Sequence, residues 1–446
     1  MSGYAEYREV NLPWLKAVPA HWEIRRNKNI FTEQKEIVGE RSADYTLLSL
    51  TLNGIIPRDM DGGGKFPESF DKYKIVKNGD MAFCLFDIDE TPRTVGLSGY
   101  NGMLTGAYTI MRVSNINARF IYYYYLALDN GKMLRPLYTG LRKTININTF
   151  QSTKVPVPPR EEQDQIVRFL DWKVSNINKL INIKKKEIKA IDALKRSTVS
   201  HAITRGLTAD APMKYSGVKW LGDIPAHWKV TKLRQILHPV SEKNHPEFPL
   251  LSVVREQGVI LRDVEDKEAN HNFIPDDLSG YKVVRKGQFA MNKMKAWQGS
   301  YGVSDYTGIV SPAYFIFDIA FENLEYFHYA IRSKVYVNFF AQASDGIRVG
   351  QWDLQMDKMK EIPFIVPPAD EQIAIVKYIK QALPQYDAAI EKLTEEVAVL
   401  EEYKNKIIAD TVTGKIDVRG IEIPKYEFVD EDTDADNEDG GEEETE

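Results

Sequence analysis

Two histidines occupy the same tetrapeptide, Pro-Ala-His-Trp, in "WLKAVPAHWEIRR" (residues 14–26) and "WLGDIPAHWKVTK" (residues 220–232). An imidazole that moves protons or holds a metal needs an acid, a nucleophile or a co-ligand close by. Neither His21 nor His227 has a carboxylate or cysteine at ligand spacing, and the flanking Trp and Pro read as packing of a segment that opens a domain. "VPPREE" (157–162) and "VPPADE" (366–371) carry paired prolines of the kind that hold a flipped adenine when polar and aromatic residues flank them. Here Val157 and Val366 precede the prolines and Arg160 and Ala369 follow, so those groups are missing and the prolines read as punctuation before a helix. Phosphate-cradling glycine loops and His-Glu-x-x-His are absent from the sequence. Around Pro275-Asp276, the acids of Glu265-Asp266-Lys267 come first, the wrong order for a nuclease centre.

What remains is the chemistry of reading bases and phosphates. Arg58, Lys65 and Arg93 lie near glycines in the first half, followed by Arg142 and Lys143 in "GLRK". The second half offers Lys293, Lys295 and Trp297 in "NKMKAWQG", then Arg348 and Gln351 in "DGIRVGQWD". Arg and Gln make bidentate contacts to guanine and adenine edges, and Lys mostly meets phosphate. Any one such residue is more often a solvated surface charge; recurrence at equivalent places in both halves favours function. These ten are the expected DNA-contacting residues, with no catalytic or metal-binding residue expected.

The elements that must position them are written twice. Trp14 and Trp220 are 206 positions apart, and the same offset aligns Gly96 with Gly302, Tyr108 with Tyr314 and 140–142 with 346–348. With small shifts, "YKIVKNGDMAF" meets "YKVVRKGQFAM" and "VPVPPREEQDQIV" meets "IVPPADEQIAIV". A bland match along the whole half-chain marks duplication of a domain, not reuse of a catalytic site. "YTLLSL", "YKIVKNGDMAFC" and "GAYTIMRV" read as strands and "ARFIYYYYLALD" as a buried helix, and the second half gives the same order.

Each half ends in a long helical pattern. Apolar residues fall at Ile166, Leu170, Val174, Ile177, Ile181, Ile188 and Ile191, then at Ile375, Ile379, Leu383, Tyr386, Ile390, Leu393, Val397, Leu400 and Ile407. This is coiled-coil spacing. Residues 160–206 carry 11 basic and 6 acidic side chains, and 370–426 carry 8 and 11. Opposite charge favours pairing with each other, and the breakers at Gly206 and Gly414 suit an antiparallel pair. Pro384 should kink the second helix or mark its start. The expected fold is α+β: mixed α/β globules at 1–159 and 207–369, long helices at 160–206 and 370–426 forming an antiparallel coiled coil, and an acidic disordered tail at 427–446. About 35 helical residues at ~1.5 Å each span roughly 50 Å, more than one ~34 Å turn of B-DNA.

The 446 residues, 43% hydrophobic, suffice for two or more cores. The net charge of -6 hides a basic body, because the tail holds 12 acids and no Lys or Arg, leaving -6 + 12 = +6. The single Cys84 excludes an intramolecular disulfide or a multi-cysteine metal site. With no signal pattern and no long apolar run, a cytoplasmic location is expected.

Globule, helix, globule, helix, with "IP-x-x-W" or its like opening each half and "PP-x-x-EQ-x-x-I" opening each helix, resembles the specificity subunit of type I restriction-modification enzymes over residues 10–424. The acidic tail and Pro384 depart from that pattern. The resemblance implies that each globule, 1–159 and 207–369, is a target recognition domain reading one half of a split, asymmetric double-stranded site, and that the helices at 160–206 and 370–426 form the spacer. It implies two methylation subunits using S-adenosylmethionine on adenine, and restriction subunits driven by ATP with Mg, leaving this chain a reader without catalysis or cofactor. The competing reading is a coiled-coil scaffold that never touches DNA. Divergent loops within a shared frame ("RTVGLSGYNG" against "GSYGVSDYTG") argue for two half-sites instead.

Overall fold

The computed structural model describes residues 3–58, 67, 69–140, 143–263, 274–275, 277–348 and 351–430. Two compact units emerge: Met1–Lys186 joined by the chain from Thr394, and Glu187–Leu393. In the first, strands Phe31–Gln34, Thr109–Val113, Asp80–Phe83 and Val95–Leu97 form an antiparallel sheet in that spatial order. Ala82 sits across from Ile110 on one side and Gly96 on the other. In the second, Leu237–Val240, Tyr314–Ile319, Phe289–Asn292 and Tyr301–Val303 repeat the order, and Ala290 pairs Ile316 and Gly302 in the same register. Because a one-residue slip would turn every side chain to the wrong face, the shared register carries the sequence repeat into three dimensions.

Each sheet packs on a helix that begins at a capping asparagine. Asn117 accepts from the backbone N–H of Arg119 and Phe120 ahead of Ala118–Asn130, and Asn323 accepts from Tyr326 ahead of Leu324–Ile331. The fully buried aromatics Phe83, Phe120, Tyr125 and Phe150 build the first core, and Phe289, Tyr301, Tyr326 and Tyr336 the second.

The first long helix is Arg160–Arg205 and the second is Ala369–Val412. Within the first unit Lys184 meets Glu396 at 3.0 Å and Lys404 donates to Asn178, so residue numbers rise on one helix as they fall on the other. Within the second unit Lys195 meets Asp387 at 2.5 Å and Thr198 meets Tyr386 at 3.0 Å, again antiparallel. Ile166, Leu170, Ile177 and Ile181 join the first core, and Ile375 and Ile379 the second, so the ends of the seam double as globule core.

Three details depart from expectation. The second helix runs through Pro384, which is not its start; the proline removes one N–H on an otherwise continuous element. That helix ends at Val412 rather than 426, because Gly414 takes a left-handed φ of +77°. The acidic tail was expected to be disordered from 427, yet its first residues lie along the first long helix. Ser175 donates to the Glu427 carbonyl and accepts from Val429 N–H, and Asn178 and Asn182 donate to the Val429 and Asp430 carbonyls. Residues 431–446 lie outside the described residues.

Candidate nucleic-acid interface

The repeated tetrapeptide and the repeated Pro-Pro motif turn out to be halves of one joint. Glu162, in the first turn of the first long helix, accepts from Tyr4 Oη (2.6 Å) and Trp22 Nε1 (2.9 Å) and meets His21 Nε2 at 2.7 Å. Glu371, in the first turn of the second, accepts from Trp228 Nε1 at 2.9 Å and meets His227 Nε2. The following glutamines hold the Pro-Pro turns: Gln163 donates to the Pro158 carbonyl and Gln372 to that of Pro367, both at 2.8 Å. Each tryptophan also touches the end of the other helix. A Cβ on Gly414 would lie 3.2 Å from Trp22, and one on Gly206 would lie 3.0 Å from Trp228. His21 and His227 therefore do have carboxylate partners, supplied by the fold rather than by their own segments, and the joint is structural.

In the second unit the segments that carry the candidate DNA-contacting residues come together. Asn292 caps the 3-10 turn Lys293–Gln298 by accepting from Met294 N–H. Gly299 ends the turn at φ +97°, a conformation that favours glycine. A hairpin of Ser344–Arg348 and Gln351–Leu354 lies beside it, with Arg348 opposite Gln351 at the tip. Lys293 fixes the hairpin through Asp353 (2.7 Å), Lys358 holds its other strand through Asp345 (2.7 Å), and the Trp297 and Trp352 rings lie 5.7 Å apart. Lys295 is exposed with no side-chain partner among the described residues. The side chains of Arg348 and Gln351 lie outside the described residues. An aromatic pair beside cations, on a hairpin braced at both strands, suits phosphate contact and base-edge reading.

In the first unit the same residue types are dispersed. Lys143, at φ +45°, reaches Asp89 at 3.3 Å and Glu90 at 3.7 Å. Desolvation would raise the Asp89 carboxyl, but hydrogen bonds from Arg135 and Lys143 outweigh it and hold it below the usual carboxylate range. Arg93 is drawn inward: its guanidinium meets the buried Asp129 at 3.1 Å and Asn130 at 2.7 Å. Asp129 also accepts from Thr94 N–H, Thr94 Oγ1 and Lys132 Nζ. Arg93 is thus tied into the packing of Ala118–Asn130. Arg58 is exposed, and its N–H donates to the Leu47 carbonyl. Lys65 and Arg142 lie outside the described residues, as do Glu265, Asp266, Lys267 and Asp276. Among the described residues no cluster of His, Cys, Asp and Glu could hold a metal ion, and no helix is long and apolar enough to cross a membrane.

Sequence reasoning missed Glu162, Glu371 and Asp129. The first two had a signal, since both motifs recur together in each half; Asp129, inside an aromatic helix, had none.

Residues 70–190 match the family described as the type I restriction modification DNA specificity domain. The type I restriction enzyme MjaVIII specificity subunit of Methanocaldococcus jannaschii is 24% identical, over 93% of this chain and 98% of that one. The putative type I restriction enzyme MjaX specificity subunit of the same organism is 23% identical, over 90% and 95%. Among solved structures, a chain from a type I restriction-modification system described for its assembly and conformational transition overlays with a TM-score of 0.58 at 13% identity, covering 90% of this chain and 99% of that one. With the doubled unit and the paired helices, the chain is similar along nearly its whole length to the specificity subunits of type I restriction-modification enzymes.

Proposed function

We propose that the chain is the DNA sequence-reading subunit of a type I restriction-modification complex, with no catalysis of its own. The observation that carries this reading is the doubling. One frame, with one sheet register and one joint to a long helix, is used twice, while the surface cations it displays differ between copies. Identical sockets would suit identical ligands; different surfaces on equal frames suit two different half-sites. The finer reading is that the double-stranded site is split and asymmetric, with a gap set by the long helices. Two methylation subunits dock on this chain, with restriction subunits beside them. S-adenosylmethionine, ATP and Mg belong to those partners.

The test is reconstitution. The purified chain alone should bind DNA weakly and neither methylate nor cleave it. Adding the methylation subunit should give tight, salt-sensitive binding to one split sequence, since released counterions make phosphate contacts salt-dependent. Methyl transfer by the isolated chain would overturn the assignment.

A further inference from the structure

One place in the frame carries no charged side chain in the first unit and a cation in the second. At the repeat offset, His328, Arg332 and Ser333 correspond to Tyr122, Leu126 and Ala127. In the second unit the three line a cavity of about 430 Å³, with Lys334 and Gly299 at its wall. The Arg332 guanidinium is pinned by the carbonyls of Tyr301 (2.6 Å), Arg255 (2.8 Å) and Glu256 (2.7 Å), and it pairs with no carboxylate among the described residues. The backbone makes room for it: a Cβ on Gly258, at φ +78°, would sit 3.0 Å from Nη1, and one on Gly302 would sit 3.6 Å away. Glu256, at the cavity wall, acts on this cation from a distance, but no carboxylate among the described residues contacts it, which leaves room for an anion at the guanidinium.

Ser333 adds a second, independent sign. It is the N-cap residue of the nine-residue helix Lys334–Gln342 and only 4% exposed, yet its hydroxyl makes no capping bond and has no hydrogen-bond partner among the described residues. An N-cap serine ordinarily accepts from the first turn. Here the hydroxyl and the first-turn N–H groups stand together at the positive end of a helix, an arrangement that suits an oxyanion. His328 completes the set. Its Nδ1 accepts from Val303 N–H at 3.3 Å, so the neutral ring carries its proton on Nε2 as a donor. Burial, then the Arg332 charge, lower its pKa to about 4, so the ring stays neutral beside the guanidinium at neutral pH.

We propose that this cavity of the second unit binds a phosphate group carried by a small molecule, a phosphate ester of nucleotide size, held by Arg332, Ser333, Lys334 and the first turn of the helix. The volume falls within the range of small-molecule sites. The first unit, with Tyr122, Leu126 and Ala127 at the matching positions, has neither the guanidinium nor the cap hydroxyl and lacks the site. Such a ligand would couple recognition by one unit to the supply of that small molecule.

The test uses the full chain in thermal melts and calorimetric titrations with orthophosphate, with adenosine monophosphate and with a short duplex of arbitrary sequence. Both free phosphates should raise the melting transition of the second unit saturably. Lys334→Glu, at an exposed position, should weaken that binding by about tenfold or more, the scale of losing a charge-assisted contact. Ser333→Ala should weaken it several-fold, and because its hydroxyl caps nothing the unliganded melt should be unchanged. Absence of a saturable shift with either free phosphate would overturn the proposal, as would equal binding by both variants. Stabilisation by the duplex alone would also overturn it, reassigning the cavity to a phosphate of the DNA backbone.

Discussion

Glu162 shows how much of this protein rests on residues that no chemistry-seeking motif names. Its carboxylate is 5% exposed and receives Tyr4, His21 and Trp22, whereas Glu371 at 34% exposed receives His227 and Trp228 under better solvation. Removing a buried charge that satisfies several donors strands them, so Glu162→Ala should cost the first unit about 3 kcal/mol, and Glu371→Ala about 1 kcal/mol in the second. Urea unfolding followed separately in the two units checks this; equal losses would contradict it. His328 makes the second unit acid-sensitive. Desolvation and Arg332 depress its folded pKa to about 4, with Asp305 and Glu325 opposing, while the unfolded value is 6.5. Both states are neutral above about 6.5, so the group contributes nothing there. As pH falls through the window, the unfolded chain takes a proton that the folded one does not, and stability is lost, by about 2 kcal/mol at pH 5. His328→Gln should flatten that slope in urea midpoints measured from pH 7 to 5. Arg93 and Lys295 separate structure from recognition. Arg93→Ala should destabilise the first unit through Asp129 by about 2 kcal/mol, whereas Lys295→Ala should leave unfolding unchanged and reduce the salt slope of DNA binding by about one.

The hairpin that carries Arg348 and Gln351 is braced at the facing residues Asp353 and Asp345 by Lys293 and Lys358. If Arg348 makes a bidentate base contact, Arg348→Ala should relax one position of the second half-site by about 1 to 3 kcal/mol and leave the first untouched. Binding measured against panels mutated in each half-site decides it, and uniform loss across all sequences would make Arg348 a phosphate contact. Much at this scale was legible in the sequence. The 3.6-residue period of Ile166 to Ile191, the Pro-Pro starts and the glycine stops located both long helices, because periodicity, capping and breakers are local properties. Three things were not legible. Pro384 sits inside the second helix because tertiary packing overrides the loss of one bond. Arg93 reads in sequence like any surface cation, because nothing local marks Asp129 as its partner. The His21–Glu162 and His227–Glu371 joints span about 140 positions each in sequence, so only the fold could pair them.

At the scale of the whole molecule, the proposed reading makes the long helices a ruler and the two units independent readers. Four residues inserted into each long helix, after Ile191 and before Glu391, add about 6 Å and roughly 40° beyond a full turn. The unread gap should lengthen by one to two base pairs at ~3.4 Å each, with both half-site sequences unchanged. An active variant with the original gap would remove the ruler and leave the helices as connectors. Single-molecule methylation sequencing of host DNA, with this gene intact and deleted, tests sequence reading by the doubled unit most directly. A methylated motif in two specific parts, separated by a fixed unread gap, should be present with the gene and disappear on deletion. A methylome unchanged by the deletion, or a lost motif that is continuous rather than split, would contradict it.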